Sequence, residues 1–170
     1  MDEKIETYRV NDFLLDEIMK ISNGNVTIAV DFDSTLCLTD GYPNILRPNG
    51  DCFYILRKWQ EMGCKIILHT MRYGKDLEDA VVWCSNCKFF FDGVNRNEEH
   101  ELFDPNHSRD KMYAVFYIDD KAFGTPLLHD KFGIIKDHVD WDEIDRRYTP
   151  FLRELIMKLN KKKCLKDSNL

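Results

Sequence analysis

Three short apolar runs constrain this chain more than any other feature: VTIAVDF (Val26 to Phe32), CKIILH (Cys64 to His69) and AVFYI (Ala114 to Ile118). Each is continuous rather than alternating and rich in β-branched residues, the pattern of strands covered on both faces of a parallel sheet. Between the first two, Asp51 to Met62 has helical spacing and ends at Gly63, a residue suited to a helix C-terminus. After the second, Lys75 to about Cys87 sets Leu77, Ala80, Val81 and Cys84 on one helical face. Phe89-Phe90-Phe91 then reads as the start of a short third strand, followed by a polar, irregular stretch from Asp92 to Asp110. This alternation predicts right-handed βαβ units. The expected fold class is therefore α/β, a three-layer α/β/α sandwich around a mainly parallel, Rossmann-like central sheet.

The flanks read less regularly. An amphipathic helix is expected over about 8–21, stopped by Ser22-Asn23-Gly24-Asn25. Beyond Asp120, Leu127-Leu128 and Gly133-Ile134-Ile135 read as short edge strands and Asp140 to Arg147 as a short helix. Thr149-Pro150 then reads as the cap and first residue of a last helix to about Lys162, so the C-terminal helices cover about 141–163. A length of 170 residues suits one domain with its core over about 26–135.

Composition excludes some functions. Lys plus Arg number 24 against 30 for Asp plus Glu, a formal charge of −6, which does not suit binding of nucleic acid through bulk electrostatics. No stretch approaches the ~20 apolar residues of a membrane span. The N-terminal MDEKIETYRVNDF lacks the basic-then-apolar layout of a secretory signal, so the expected location is cytoplasmic. In a reducing compartment the six scattered cysteines read as small buried hydrophobes. Cys84-Ser85-Asn86-Cys87 falls near a helix end and lacks a second pair, which argues against a redox or zinc site.

In open α/β sheets ligands bind at the carboxyl ends of the strands. Here those ends read Asp31-Phe32-Asp33-Ser34-Thr35, His69-Thr70-Met71-Arg72 and Asp119-Asp120-Lys121. Carboxylates clustered on one rim repel unless a cation sits among them, and an all-oxygen donor set favours a hard ion such as Mg²⁺. A metal there attracts phosphate. Lys111 could add a positive charge, with Lys121 as its rival, and Thr70 could offer a hydroxyl to a phosphoryl oxygen. An Asp attacking phosphorus, with a second Asp moving protons, would split a phosphoester in two steps.

The set VDFDST, ILHT, RDK and YIDD resembles the four motifs of the haloacid dehalogenase-like phosphohydrolase superfamily, in the same order, from about Val26 to Lys121. Ser34 stands where many members have Gly. The resemblance implies Asp31 as nucleophile, Asp33 as general acid/base, Thr70 as the phosphate-binding hydroxyl and Lys111 as the cation that steadies the phosphoryl group. It implies Mg²⁺ held by Asp31, the backbone carbonyl of Asp33, Asp119 and Asp120. Ser34, Thr35, Arg72 and Asn95 are expected to touch substrate, and for Arg72, Asn95, Arg96, Asn97 and His100 a substrate pocket and a solvated loop are equally open readings.

The family's substrate range is set largely by cap insertions. Only 17 residues lie between Asp33 and Asp51, and 19 between Phe91 and Lys111, too few for a folded cap in either place. A capless or minimally capped phosphatase is implied, with an open site or a lid borrowed from another subunit of a homo-oligomer. Motif spacing is similar to the deoxyribonucleotidase branch, so a small phosphorylated substrate, with a nucleotide foremost, is expected. The alternatives are a polynucleotide 3′-phosphatase, which would make nucleic-acid ends the partner, and a non-catalytic phosphate- or metal-binding module.

Overall fold

The structure, a computed structural model, describes residues 10–97 and 112–168. Along the chain run α1 (Asp12–Ser22), β1 (Thr27–Val30), β2 (Cys37–Leu38), β3 (Arg47–Pro48), α2 (Cys52–Glu61), β4 (Lys65–Leu68) and α3 (Gly74–Asn86). After them come β5 (Gly93–Val94), β6 (Phe116–Ile118), β7 (Leu127–Leu128), β8 (His138–Val139) and α4 (Trp141–Asp167). Four strands form the central sheet in the order β5-β4-β1-β6, every neighbouring pair parallel. Helices flank it, giving the Rossmann-like α/β architecture that the alternating pattern implies. No helix among the described residues is long and apolar enough to cross a membrane.

The sheet's two faces differ. Ile28, Val30, Ile66, Leu68 and Ile118 join the main core with Leu56 and Trp59 of α2, Ala80 and Cys84 of α3, and Ile144, Leu152, Leu155 and Leu159 of α4. Leu15 and Ile18 of α1 reach the same core. The opposite face carries a smaller cluster, Ala29, Ile67, Met112 and Ala114. Strand alternation accounts for the split, because odd and even residues point to opposite faces. An aromatic group closes one flank of the main core: Phe53 stacks on Phe89 at 5.3 Å, and Trp83 meets the edge of Phe32 at 5.6 Å.

Several element boundaries differ from those read in the sequence. The first helix starts at Asp12, because the Asn11 side chain accepts a hydrogen bond from the Leu14 N–H and ends the extended chain there. Phe89 to Phe91 are not a strand. Phe89 packs on Phe53, and the ladder to β4 begins at Asp92, whose N–H bonds the Ile66 carbonyl while its carboxylate accepts the Ile66 N–H. The strand proper is Gly93–Val94.

Leu127-Leu128 does pair, with His138–Val139 in a separate antiparallel hairpin, whereas Gly133 to Ile135 form a turn. The turn is held by the Asp130 carboxylate, which accepts the N–H groups of Phe132, Ile134 and Ile135.

The two expected C-terminal helices are one, of 27 residues, with Pro150 inside it. Thr149 is not a cap. Its hydroxyl donates to Asp145 one turn back and accepts the indole N–H of Trp59 at 2.7 Å. The apolar face of Ile144, Phe151, Leu152, Leu155 and Leu159 runs through the proline unbroken, and its burial outweighs the hydrogen bond that Pro150 cannot donate. Of the cysteines, Cys37, Cys52, Cys64 and Cys84 are buried as expected, but Cys87 is half-buried and Cys164 exposed.

If Pro150 lies within one helix, Pro150→Ala restores a backbone bond, and chemical denaturation should show a gain of about 1–2 kcal/mol. Thr149→Val strands the buried indole N–H and should lose about 1–3 kcal/mol.

Candidate active site

The register of the central sheet places the chemistry. Val30 pairs with Leu68 on one side and Ile118 on the other, so these three residues form the last row of the sheet. Asp31, His69 and Asp119 each stand one residue beyond that row. The Asp31 N–H still bonds the Ile118 carbonyl at 2.9 Å, and the His69 N–H the Val30 carbonyl at 2.8 Å, before the chains turn away. Carboxylate oxygens of Asp31, Asp119 and Asp120 lie within 4.8 Å of one another, close enough to hold one metal ion. Burial pushes the Asp31 carboxyl up to about 7, and the negative charges of Asp119, Asp120 and Asp33 push the same way.

A tight turn follows β1. The Phe32 carbonyl accepts the N–H groups of Leu36 and Cys37 at 2.9 and 3.1 Å, and Ser34 takes a left-handed conformation with φ of 57°. Glycine enters that region most easily; Ser does so here while buried and with its carbonyl bonded to the Val139 N–H. Thr35 is wholly buried. Its hydroxyl accepts the Asp120 N–H, and its carbonyl accepts from the Asn49 amide and the Trp141 indole. Ser34 and Thr35, expected near substrate, are buried in this turn, where Thr35 fixes Asp120.

Thr70 follows His69 on the rim, partly exposed, with its hydroxyl accepting the Arg72 N–H at 3.2 Å. Asn95 reaches back from the end of β5, and its side-chain oxygen accepts the Thr70 N–H at 2.8 Å. Asn95 thus holds the loop that carries Thr70. Lys121 brings its ammonium to the Asp120 carboxylate, so among the described residues it is the cation paired with the acidic trio. Lys111, like His100, lies outside the described residues.

Arg72 is placed differently from the expectation that it lines the pocket. The residue is 3 % exposed. Its Nε and Nη2 donate to the two oxygens of Asp33 at 2.9 and 2.7 Å, and Nη2 also donates to the Pro43 carbonyl at 3.0 Å. The guanidinium lies 4.7 Å from the Phe32 ring and 5.2 Å from that of Tyr42, whose hydroxyl bonds Asp76 at the start of α3. Sequence reasoning missed this pairing because 39 positions separate the partners. It also missed Asn49 and Trp141, whose local sequence carries no chemical signal. The Cys84-x-x-Cys87 pair is remote from this rim, on α3 and its C-terminal cap. Burial raises both thiols, which fits packing rather than reactivity.

No family model matches this chain, and no curated protein matches it. A solved structure is similar, that of a conserved protein coded by a Bacteroides thetaiotaomicron locus, with a TM-score of 0.55 and 30 % identity. The match covers 71 % of this chain and 87 % of that one. The chain belongs to the same family as that conserved protein.

An Asp titrates at 3.8 when unperturbed and at about 7 here, so between those values the fold holds a proton that the unfolded chain does not. Stability of the cation-free protein should therefore fall as the pH climbs through that window. Thermal melts from about pH 5 to about pH 8 should show the fall, Asp31→Asn should flatten it, and an added divalent cation should raise the melting temperature more at the upper pH.

Proposed function

We propose that this protein is a Mg²⁺-dependent phosphomonoesterase of the haloacid dehalogenase-like type, acting through an aspartyl-phosphate on Asp31. One observation carries the reading: Asp31, Asp119 and Asp120 converge at the end of adjacent parallel strands, with Asp33 two residues on and Thr70 on the neighbouring strand end. A carboxyl group raised to about 7 among three other acids is a group that a bound cation would return to its anion. The donors are carboxylate oxygens, with a backbone carbonyl at Asp33 within the same turn, and that chemistry fits Mg²⁺ better than a softer ion. Asp31, Asp119 and Asp120 would hold it, and when bound it would offset the charge of the phosphate.

The chain's own residues supply the rest. An Asp31 oxygen attacks phosphorus and forms the acyl-phosphate bond as the bond to the leaving oxygen breaks. Asp33 gives that oxygen its proton. Water then attacks the same phosphorus and gives a proton to Asp33, and the Asp31–phosphate bond breaks to release inorganic phosphate. Thr70 offers its hydroxyl to a phosphoryl oxygen. Lys121, or Lys111, adds positive charge. Asn95 keeps the Thr70 loop in place.

The substrate favoured is a small phosphomonoester, with nucleoside monophosphates first. Among the described residues Arg72 and Lys121 both have carboxylate partners, which leaves little cationic surface at the rim for a polyanionic strand.

Phosphate release from nucleoside monophosphates, sugar phosphates and 3′-phosphorylated oligonucleotides would test the reading. Release should require Mg²⁺, stop with EDTA and vanish in Asp31→Asn. Asp33→Asn should slow it by roughly 10²–10⁴-fold while Mg²⁺ still raises the melting temperature. Release only from the oligonucleotides would favour the end-processing enzyme. No release above the Asp31→Asn blank, with Mg²⁺ still bound, would make it a binding module.

A further inference from the structure

We propose that Tyr42 is a specificity-determining residue, whose exposed ring is a stacking platform for a flat aromatic ring on the alcohol side of the substrate, as in a nucleoside monophosphate. The inference rests on the phosphatase reading above and names the part of this chain that would favour such an ester over a bare sugar phosphate.

Tyr42 lies on the strap formed by residues 39–49, which leaves β2 and returns through β3. The strap's root is closed by the β2–β3 ladder and by the Asn49 N–H on the Leu36 carbonyl. Near its tip the Arg72 guanidinium lies over two rings, 4.7 Å from that of Phe32 and 5.2 Å from that of Tyr42. Phe32 is wholly buried, and Trp83 meets its ring edge-on. Tyr42 is different. It is 55 % exposed, and because the guanidinium takes one face of the ring, that exposure belongs mainly to the other face and the edge.

The ring is nonetheless held still. The guanidinium beneath it belongs to a side chain only 1 % exposed, bonded to both Asp33 oxygens and to the Pro43 carbonyl. The Tyr42 hydroxyl donates to the Asp76 carboxylate at the start of α3. Around the tip, the Gly41 N–H donates to the Thr39 hydroxyl and the Asn44 amide to Asp40, each at 3.0 Å. A ring fixed in this way loses little freedom when a second ring settles on it. Tyr73, Phe123 and Phe132 are more exposed still, but among the described residues none of their rings lies against another ring or a guanidinium.

Place completes the case. Arg72 ties Tyr42 to Asp33, the acid which the phosphatase reading sets beside the leaving oxygen, so the open face borders the space into which the alcohol departs. Arg72 already has a carboxylate partner, so the platform offers a π face and no unpaired cation, which suits a neutral base. Stacking of a base on an aromatic side chain changes binding by roughly 5- to 100-fold.

The test compares adenosine 5′-monophosphate with methyl riboside 5-phosphate, which keeps the sugar and the leaving oxygen and lacks the base. Phosphate release with Mg²⁺ is measured for the wild type, Tyr42→Phe and Tyr42→Leu. Each protein is read as the ratio of its two kcat/KM values, so a misfolded fraction cancels. The wild type should favour the nucleotide by roughly 5- to 100-fold, mainly through a lower KM. Tyr42→Leu keeps an apolar side chain on the strap without a ring, and its ratio should drop by at least about fivefold. Tyr42→Phe keeps the ring over Arg72, and its ratio should stay within about threefold of the wild type's.

A ratio that Tyr42→Leu leaves unchanged would overturn the proposal even where both rates fall, since Tyr42 would then do no more than steady Arg72. A wild-type ratio near one would also overturn it while the phosphatase reading stands. If neither ester is hydrolysed beyond the Asp31→Asn blank, the proposal falls, and release from the other esters named above decides whether the phosphatase reading falls with it.

Discussion

The parallel pairing of β4, β1 and β6 in register is the constraint from which the site follows. Because Leu68, Val30 and Ile118 finish level with one another, the residues that come next leave the sheet together at one edge. That brings Asp31 and Asp119 side by side, with Asp120 behind. A slip of one residue in either ladder would turn Asp31 or Asp119 to the other face of the sheet and break up the trio. The apolar strands are thus more than filler under the site. Their burial in the main core is what fixes the spacing of acids that would otherwise repel one another apart.

Around this edge the structure balances charge unevenly. Asp33 is paired with Arg72 and Asp120 with Lys121, whereas among the described residues neither Asp31 nor Asp119 has an ion pair. Asp31 is also the carboxyl that burial and its acidic neighbours push towards the neutral form. The neighbouring acids are held by other groups: Asp33 by the Arg72 guanidinium, Asp120 by an N–H bond to the buried Thr35 hydroxyl.

What could be read from the sequence divides along physical lines. The β-branched runs at Val26, Cys64 and Ala114 announced three central strands because double burial leaves a continuous apolar pattern. The acids and Thr70 at their ends announced the rim because open α/β sheets bind at that edge. Elements stabilised by single contacts were not legible. Phe89 to Phe91 have the composition of a strand, yet the Phe89 ring packs on those of Phe53 and Phe91 while Phe90 is exposed, and the ladder waits for Asp92. Thr149-Pro150 has the local signature of a helix start, but the apolar face on either side of it outweighs that signature. The pairing of Arg72 with Asp33 depends on the path of the strap between them, which no local pattern records.

The strap itself is tied down closely at its root, and at its tip through Tyr42, Pro43 and Ile45. The Asn49 amide bonds the carbonyls of Thr35 and Val139, and its N–H bonds that of Leu36, so both legs are fixed to the turn after β1 before the tip begins. Closing a longer loop across an anchored root adds little entropy, since that term grows only with the logarithm of length. Residues from Asp40 to Asn44 can therefore be lengthened, shortened or exchanged in the course of descent without reopening the fold. Tyr42 and Pro43 are the exceptions, because they meet Arg72. In such a design the strap can change while the acids of the rim stay where the sheet put them, and relatives of this chain would diverge first at the strap's tip and last at its root.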